Sequence, residues 1–125
     1  MEKKLIVCSE SLYTPIVSLI EHEDSMVVKS FNQSFLTQIQ NRKTNIVNLA
    51  DLIDQFMQYE EVYIIADSLN EGFELTLFFS EIRTRMIIVV THNSRYIPIY
   101  KILGAKIVMI TKPGEDSYRW LHRVV

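Results

Sequence analysis

EVYIIADSLNEGFELTLFFSEIRTRMIIVVTHNSRYIPIYKILGAKIVMI, residues 61–110, places three short β-rich runs at regular intervals with two amphipathic segments between them. The runs are Val62 to Ala66, Met86 to Thr91 and Lys106 to Thr111. VYIIA, MIIVV and KIVMI are almost continuously apolar, with none of the alternation of a half-solvated strand, so they read as strands covered by helices on both faces. Phe73, Leu75, Leu77, Phe78, Phe79 and Ile82 mark a helix that is apolar on more than one side. Tyr96, Ile99, Tyr100 and Leu103 mark the next, which Gly104 is placed to cap. Strands that alternate with helices, joined by right-handed crossovers, predict a parallel sheet.

Upstream the same alternation continues. Lys4 to Cys8, Met26 to Ser30 and Asn45 to Leu49 read as three further strands. Leu12, Ile16, Leu19 and Ile20 mark a helix after the first, with Pro15 in its opening turn, where proline is tolerated. Phe35, Leu36 and Ile39 mark a second, and Leu49, Leu52, Ile53, Phe56 and Met57 a third. The fold class expected is α/β, three layers, doubly wound around a mainly parallel sheet of about six strands.

At 125 residues and 48% hydrophobic, the chain has the size of a single domain spanning 1–125, either a protein in itself or a piece of a longer one. A domain of this size buries roughly two thirds of its unfolded surface. Thirteen basic and fifteen acidic side chains give a formal charge of −2, without the basic excess that binding through phosphate neutralisation needs, so nucleic acid is not an expected ligand. The single cysteine, Cys8, excludes an internal disulfide and fits a reducing, cytoplasmic location, at the inner face of the membrane if a pore is attached. Every hydrophobic run is interrupted short of the roughly 18 to 20 residues of a membrane-spanning helix. Direct membrane insertion is not expected, and Met1-Glu2-Lys3-Lys4 before a short strand does not have the form of a signal peptide.

In open α/β sheets, ligands bind beyond the carboxyl ends of the strands, near the switch in strand order. That rule selects Ser9, Glu10 and Ser11 after the first strand, Ser30 and Asn32 after the second, Asp67, Ser68 and Asn70 after the fourth, and Thr91, His92 and Asn93 after the fifth. Of these, Ser9, Glu10, Ser11, Ser30, Asn32, Asp67, Ser68 and His92 are the candidate cofactor-binding residues. The same residue types also cap helices and make turns wherever strands end. Asp67 and His92 are placed to form an acid/base pair across adjacent strand ends, for which a nucleophile and a substrate pocket would both need to be shown. No His or Cys spacing matches a metal site.

The turn Cys8 to Thr14 contains no glycine, and the chain has only Gly72, Gly104 and Gly114. A dinucleotide-binding domain needs glycines there for backbone to approach a pyrophosphate, and an acid after the second strand for the ribose hydroxyls. Val28-Lys29-Ser30-Phe31-Asn32 supplies no acid. Tight binding of NAD in the ordinary mode is not expected, and the cofactor is left undefined.

From Asn45 to Ile110 the order NIVNLADLIDQF, EVYIIADSLNEGFELTLFFSEIR, RMIIVVTHNSRYIPIYKILGAKIVMI resembles the amino-terminal, Rossmann-type lobe of the RCK or TrkA-N family. Gly104-Ala105 and the strand after them match the family's closing helix and sixth strand. The resemblance implies a regulatory domain, not an enzyme, that pairs or assembles into rings and controls a potassium channel or transporter through ligand- or assembly-dependent rearrangement. It also implies a homodimer or higher homo-oligomer, and a membrane pore subunit as partner. The family's glycine-rich turn and its acid after the second strand are missing. The apolar excess of Phe73, Phe78 and Phe79 suits either a helix face in such an assembly or burial in the chain's own core.

A second resemblance is to a response-regulator receiver. Asp67, Thr91 and Lys112-Pro113 resemble its phosphoacceptor, switch threonine and lysine. The acidic pair that holds Mg²⁺ in receivers is reduced to Glu10 beside Ser9, and Asn45 to Asp54 inserts an additional strand and helix. The sequence is expected to form a Rossmann-like regulatory lobe, with a phosphoryl-sensing receiver-like module as the alternative.

Overall fold

A strand covered on both faces has no solvent side on which to place polar groups, so its sequence is nearly all aliphatic. The computed structural model describes residues 4–19, 25–30, 59–82, 84–111, 118 and 120. Within them the apolar runs form β1 (Lys4–Ser9), β2 (Ser25–Ser30), β3 (Glu61–Ile65), β4 (Met86–Thr91) and β5 (Ile107–Ile110). All neighbours pair in parallel, in the order β2-β1-β3-β4-β5. The registers Ser9↔Ser30 and Cys8↔Ile65 bring the carboxyl ends of β1, β2 and β3 to one edge. The expected strand at Asn45 to Leu49 and the helices marked by Phe35 and Leu52 lie outside the described residues. The five described strands establish an α/β fold with a parallel sheet.

Helix α1 (Glu10–Val17) follows β1, α2 (Leu69–Glu81) follows β3, and a 3-10 turn (Ser94–Tyr96) leads from β4 into α3 (Ile97–Leu103). Alternate strand residues divide the core into two layers. Leu5, Val7, Val62, Ile64, Ile87 and Val89 face α2 and α3, packing on Leu75, Phe78, Phe79 and Tyr100. Ile6, Cys8, Tyr63, Ile65, Ile88 and Val90 face α1 and Tyr118, packing on Ile16, with Leu12 and Trp120 against them. Each fully buried aliphatic side chain of this kind contributes roughly 1.5–3 kcal/mol. Helices on both faces make the sheet doubly wound.

Two helix boundaries differ from the sequence expectation. α1 begins at Glu10, so Pro15 lies beyond its opening turn. Proline there withholds the N–H that the Ser11 carbonyl would receive, and the helix is short. It closes with the Ser18 N–H donating to the Thr14 carbonyl at 3.3 Å and Ser18 Oγ donating to the Pro15 carbonyl at 2.7 Å. α2 begins at Leu69, four residues before Phe73, because Ser68 caps it by accepting from the Glu71 N–H at 3.3 Å.

The aromatic excess of α2 is satisfied within the chain. Phe78 and Phe79 are buried, and Phe73 packs edge-on against Tyr100, with ring centroids 5.0 Å apart, and against Tyr96 at 6.3 Å. Gly72 allows α3 to approach this closely, since a Cβ there would collide with the Tyr100 hydroxyl and lie 3.3 Å from its Cζ. Gly104 caps α3 at φ 123°, where a side chain is strained, and a Cβ would lie 2.6 Å from that of Ser80. The Gly104-Ala105 turn into β5 thus has a backbone reason, and Ala105 is buried behind it.

Candidate functional site

β1 lies between β2 and β3, and the helices that follow β1 and β3 cover opposite faces of the sheet. The crevice between the carboxyl ends of β1 and β3 is therefore the topological switch point, where an open α/β sheet holds its ligand. Ser9, Glu10, Ser11, Asp67 and Ser68 all come from this edge.

The side chains close the crevice on themselves. Ser9 occupies the N-cap position of α1 but makes no side-chain cap bond. Its buried Oγ instead accepts from the backbone N–H of Asp67 at 2.8 Å, tying the end of β1 to the turn after β3. Ser11 Oγ donates to Asp67 Oδ2 at 2.5 Å, so the Asp67 carboxylate turns back over the start of α1. Ser68 caps α2 and Glu10 is exposed at the first position of α1. Ser9 has ordinary extended dihedrals, φ −60° and ψ 150°, so the turn shows none of the glycine geometry of a phosphate cradle.

Glu71, in the first turn of α2, belongs to this cluster and was not among the candidates selected by strand ends. Burial pushes its carboxyl above the ordinary glutamate range; a hydrogen bond from Ser9 draws it down, and the charges of Asp67 and Glu74 raise it further. Its Oε1 is buried without a hydrogen-bond partner. The pattern Ser68-x-x-Glu71 was the available signal, because serine followed three residues later by glutamate marks a helix start and brings the acid back towards it. Glu10, Asp67 and Glu71 make the switch point acidic, and the like charge of Asp67 is one of the causes that raise the Glu71 carboxyl. A pyrophosphate would meet carboxylates in place of glycine N–H groups.

His92 belongs to a separate cluster, at the ends of β4 and β5. Its Nδ1 lies 2.8 Å from the Thr111 carbonyl, which can only accept, so Nδ1 carries the proton. Nε2 lies 3.3 Å from the Tyr118 hydroxyl. Both ring nitrogens are engaged away from Asp67, whose carboxylate is bound by Ser11, so the acid/base pair drawn from the sequence is not assembled. Thr91 Oγ1 accepts from the Asn93 N–H at 3.4 Å, and Asn93 Oδ1 accepts from the Arg95 N–H at 2.9 Å, so both residues shape the turn into α3.

Ser30 ends β2, while Asn32 and Lys112 lie outside the described residues. Cys8 is buried in β1. Among the described residues no group of three His, Cys, Asp or Glu side chains is placed to hold a metal ion, and no helix is long and apolar enough to cross a membrane. Compared with known proteins, the chain matches no family model and no curated protein.

Proposed function

We propose that this chain is a Rossmann-like regulatory lobe, resembling the RCK or TrkA-N type, that controls a potassium channel or transporter through ligand- or assembly-dependent rearrangement and does not bind NAD in the ordinary way. The observation that carries the reading is the closed switch point. The doubly wound scaffold is kept, but the crevice between β1 and β3 is bridged by Ser9, Ser11 and Asp67 where a phosphate cradle would need open glycine backbone. A lobe of this kind acts by population shift: whatever binds one arrangement of the assembly better biases the pore attached to it. Gly104 and Ala105, packed as the helix-to-strand turn of the sixth strand in such lobes would require, support the same reading. The test is radioactive rubidium uptake in the host cell with the gene for this chain deleted and restored. A change in uptake that the restored gene reverses is expected; identical uptake in all three strains would sink the proposal.

The strand order favours a second reading. The order β2-β1-β3-β4-β5, with Asp67 beyond β3 and Thr91 at the end of β4, is also that of receiver-like domains. Against it, Ser11 binds the carboxylate that would be the nucleophile, and Thr91 is committed to its own turn. Acetyl phosphate with Mg²⁺ decides between them. Covalent labelling at Asp67, lost in Asp67→Asn, would favour the receiver.

A further inference from the structure

β5 has a partner on one side only among the described residues, and its four residues, Ile107-Val108-Met109-Ile110, carry no charge and no proline. Proteins ordinarily blunt a free strand edge with charged residues, proline, a bulge or a covering element, because its open N–H and C=O groups are a template for another strand. β5 itself carries neither charge nor proline, and no described element pairs with its outer side. Ile107 and Ile110 are 42% and 47% exposed, an unusual degree for isoleucine in the sheet of an α/β fold. They lie on opposite faces, Ile107 with Met109 on the α1 side and Ile110 with Val108 on the α3 side. Among the described residues, the edge is therefore unpaired in its backbone and apolar on both faces.

We infer that this edge is the interface for a second copy of the chain, with the two β5 strands pairing antiparallel about a twofold axis normal to the sheet. Such an axis keeps each face continuous across the dimer, so residues opposite one another must share a face. The register that satisfies this places Val108 opposite the partner's Val108, Ile107 opposite the partner's Met109, and Lys106 opposite the partner's Ile110. Ile107, Val108 and Met109 then meet apolar residues of the partner strand, while Ile110 lies against the aliphatic stem of the partner's Lys106. The two Lys106 side chains stand at opposite ends of the pair, about 13 Å apart along the strands at roughly 3.3 Å per residue, beyond a Debye length of about 8 Å. A twin strand offers this edge an apolar partner and no opposed like charge. The inference needs only the strand order and the exposures, and does not rest on the potassium reading; ion uptake and association state are read independently.

Sedimentation of the full chain over a concentration series, with Ile107→Lys and Val108→Cys variants, tests it. The natural chain is expected to dimerise. Ile107→Lys, at a position already half exposed, should keep the fold by circular dichroism and weaken the dimer at least about tenfold, equivalent to 1.4 kcal/mol. Val108→Cys should form a disulfide-linked dimer on mild oxidation, Cys8 being buried. Ile102→Lys, on α3 and 84% exposed, should leave the dimer intact. A natural chain that stays monomeric at every concentration overturns the inference, as does a dimer that neither responds to Ile107→Lys nor cross-links through Val108→Cys.

Discussion

The backbone N–H of Asp67 donates to Ser9 Oγ at 2.8 Å across 58 residues of sequence, joining the ends of two adjacent parallel strands at the point where the sheet reverses its winding. Serine in that turn would ordinarily cap the helix that follows. Here it is turned sideways, and an internal hydrogen bond occupies the place where a dinucleotide-binding domain would cradle phosphate.

Ser9→Ala removes the acceptor and leaves the Asp67 N–H without its partner, while the Glu71 carboxyl loses its hydrogen bond. The bond is part-buried and Asp67 is exposed, so its loss should cost about 0.5–1.5 kcal/mol, the net contribution of an ordinary intramolecular hydrogen bond. Urea unfolding should show a lower midpoint with an unchanged slope. Ser11→Ala, which removes a bond at an exposed position, should cost less.

The raised pKa of Glu71 sets a direction for stability against pH. The folded chain holds the Glu71 proton more tightly than the unfolded chain, because burial first, and the charges of Asp67 and Glu74 after it, disfavour the carboxylate. The protonated side chain carries no penalty below the ordinary glutamate range, and stability falls as pH rises from there through the raised value. Above it the penalty is constant. Glu71→Gln should therefore stabilise the protein at neutral pH and give no such gain in acid, as measured by unfolding midpoints across a pH series. An equal gain at both ends would show that the carboxylate charge is not the cause.

NAD, NADH, AMP, ADP and ATP should leave the melting temperature unchanged at concentrations that saturate ordinary dinucleotide domains. Binding to the folded state alone stabilises by about 2.7 kcal/mol at a hundredfold excess over Kd, a shift of several degrees for a chain of this size. Such a shift with NADH would contradict the closed switch point.

Gly72→Ala should destabilise the chain, because the new methyl would meet the Tyr100 hydroxyl where α2 crosses α3. Overpacking of this kind costs roughly 1–3 kcal/mol. Adding Tyr100→Phe removes the obstructing oxygen and should recover part of the loss. A double-mutant cycle in thermal unfolding reads the coupling, and strictly additive effects would mean that the contact is not the source of the cost.

The five described strands were legible in the sequence to within one residue at either end. Lys4 to Cys8 became Lys4–Ser9, and Met86 to Thr91 was unchanged, because a strand buried on both faces shows itself as an unbroken aliphatic run. Helix starts were less legible. The first turn of α2, Leu69-Asn70-Glu71-Gly72, carries little apolar periodicity, and Ser68 declares the start through a hydrogen bond. Phe78 and Phe79 announced a buried face without saying whether it was buried against the chain's own sheet or a partner.

By itself, then, the chain's chemistry determined an α/β scaffold, the absence of a glycine cradle and the edge on which Ser9, Glu10, Ser11, Asp67 and Ser68 would meet. These follow from local composition, from unbroken aliphatic runs alternating with helical ones, and from the rule that ligands bind beyond the carboxyl ends of parallel strands. Tertiary structure alone decided that β1 lies between β2 and β3, that Ser9 binds Asp67 in place of its own helix, that Glu71 joins them, and that His92 points to Thr111 and Tyr118. The physical reason is sequence distance. A hydroxyl or a ring nitrogen has several partners of similar energy, and which one it takes depends on the strands that long-range pairing sets beside it.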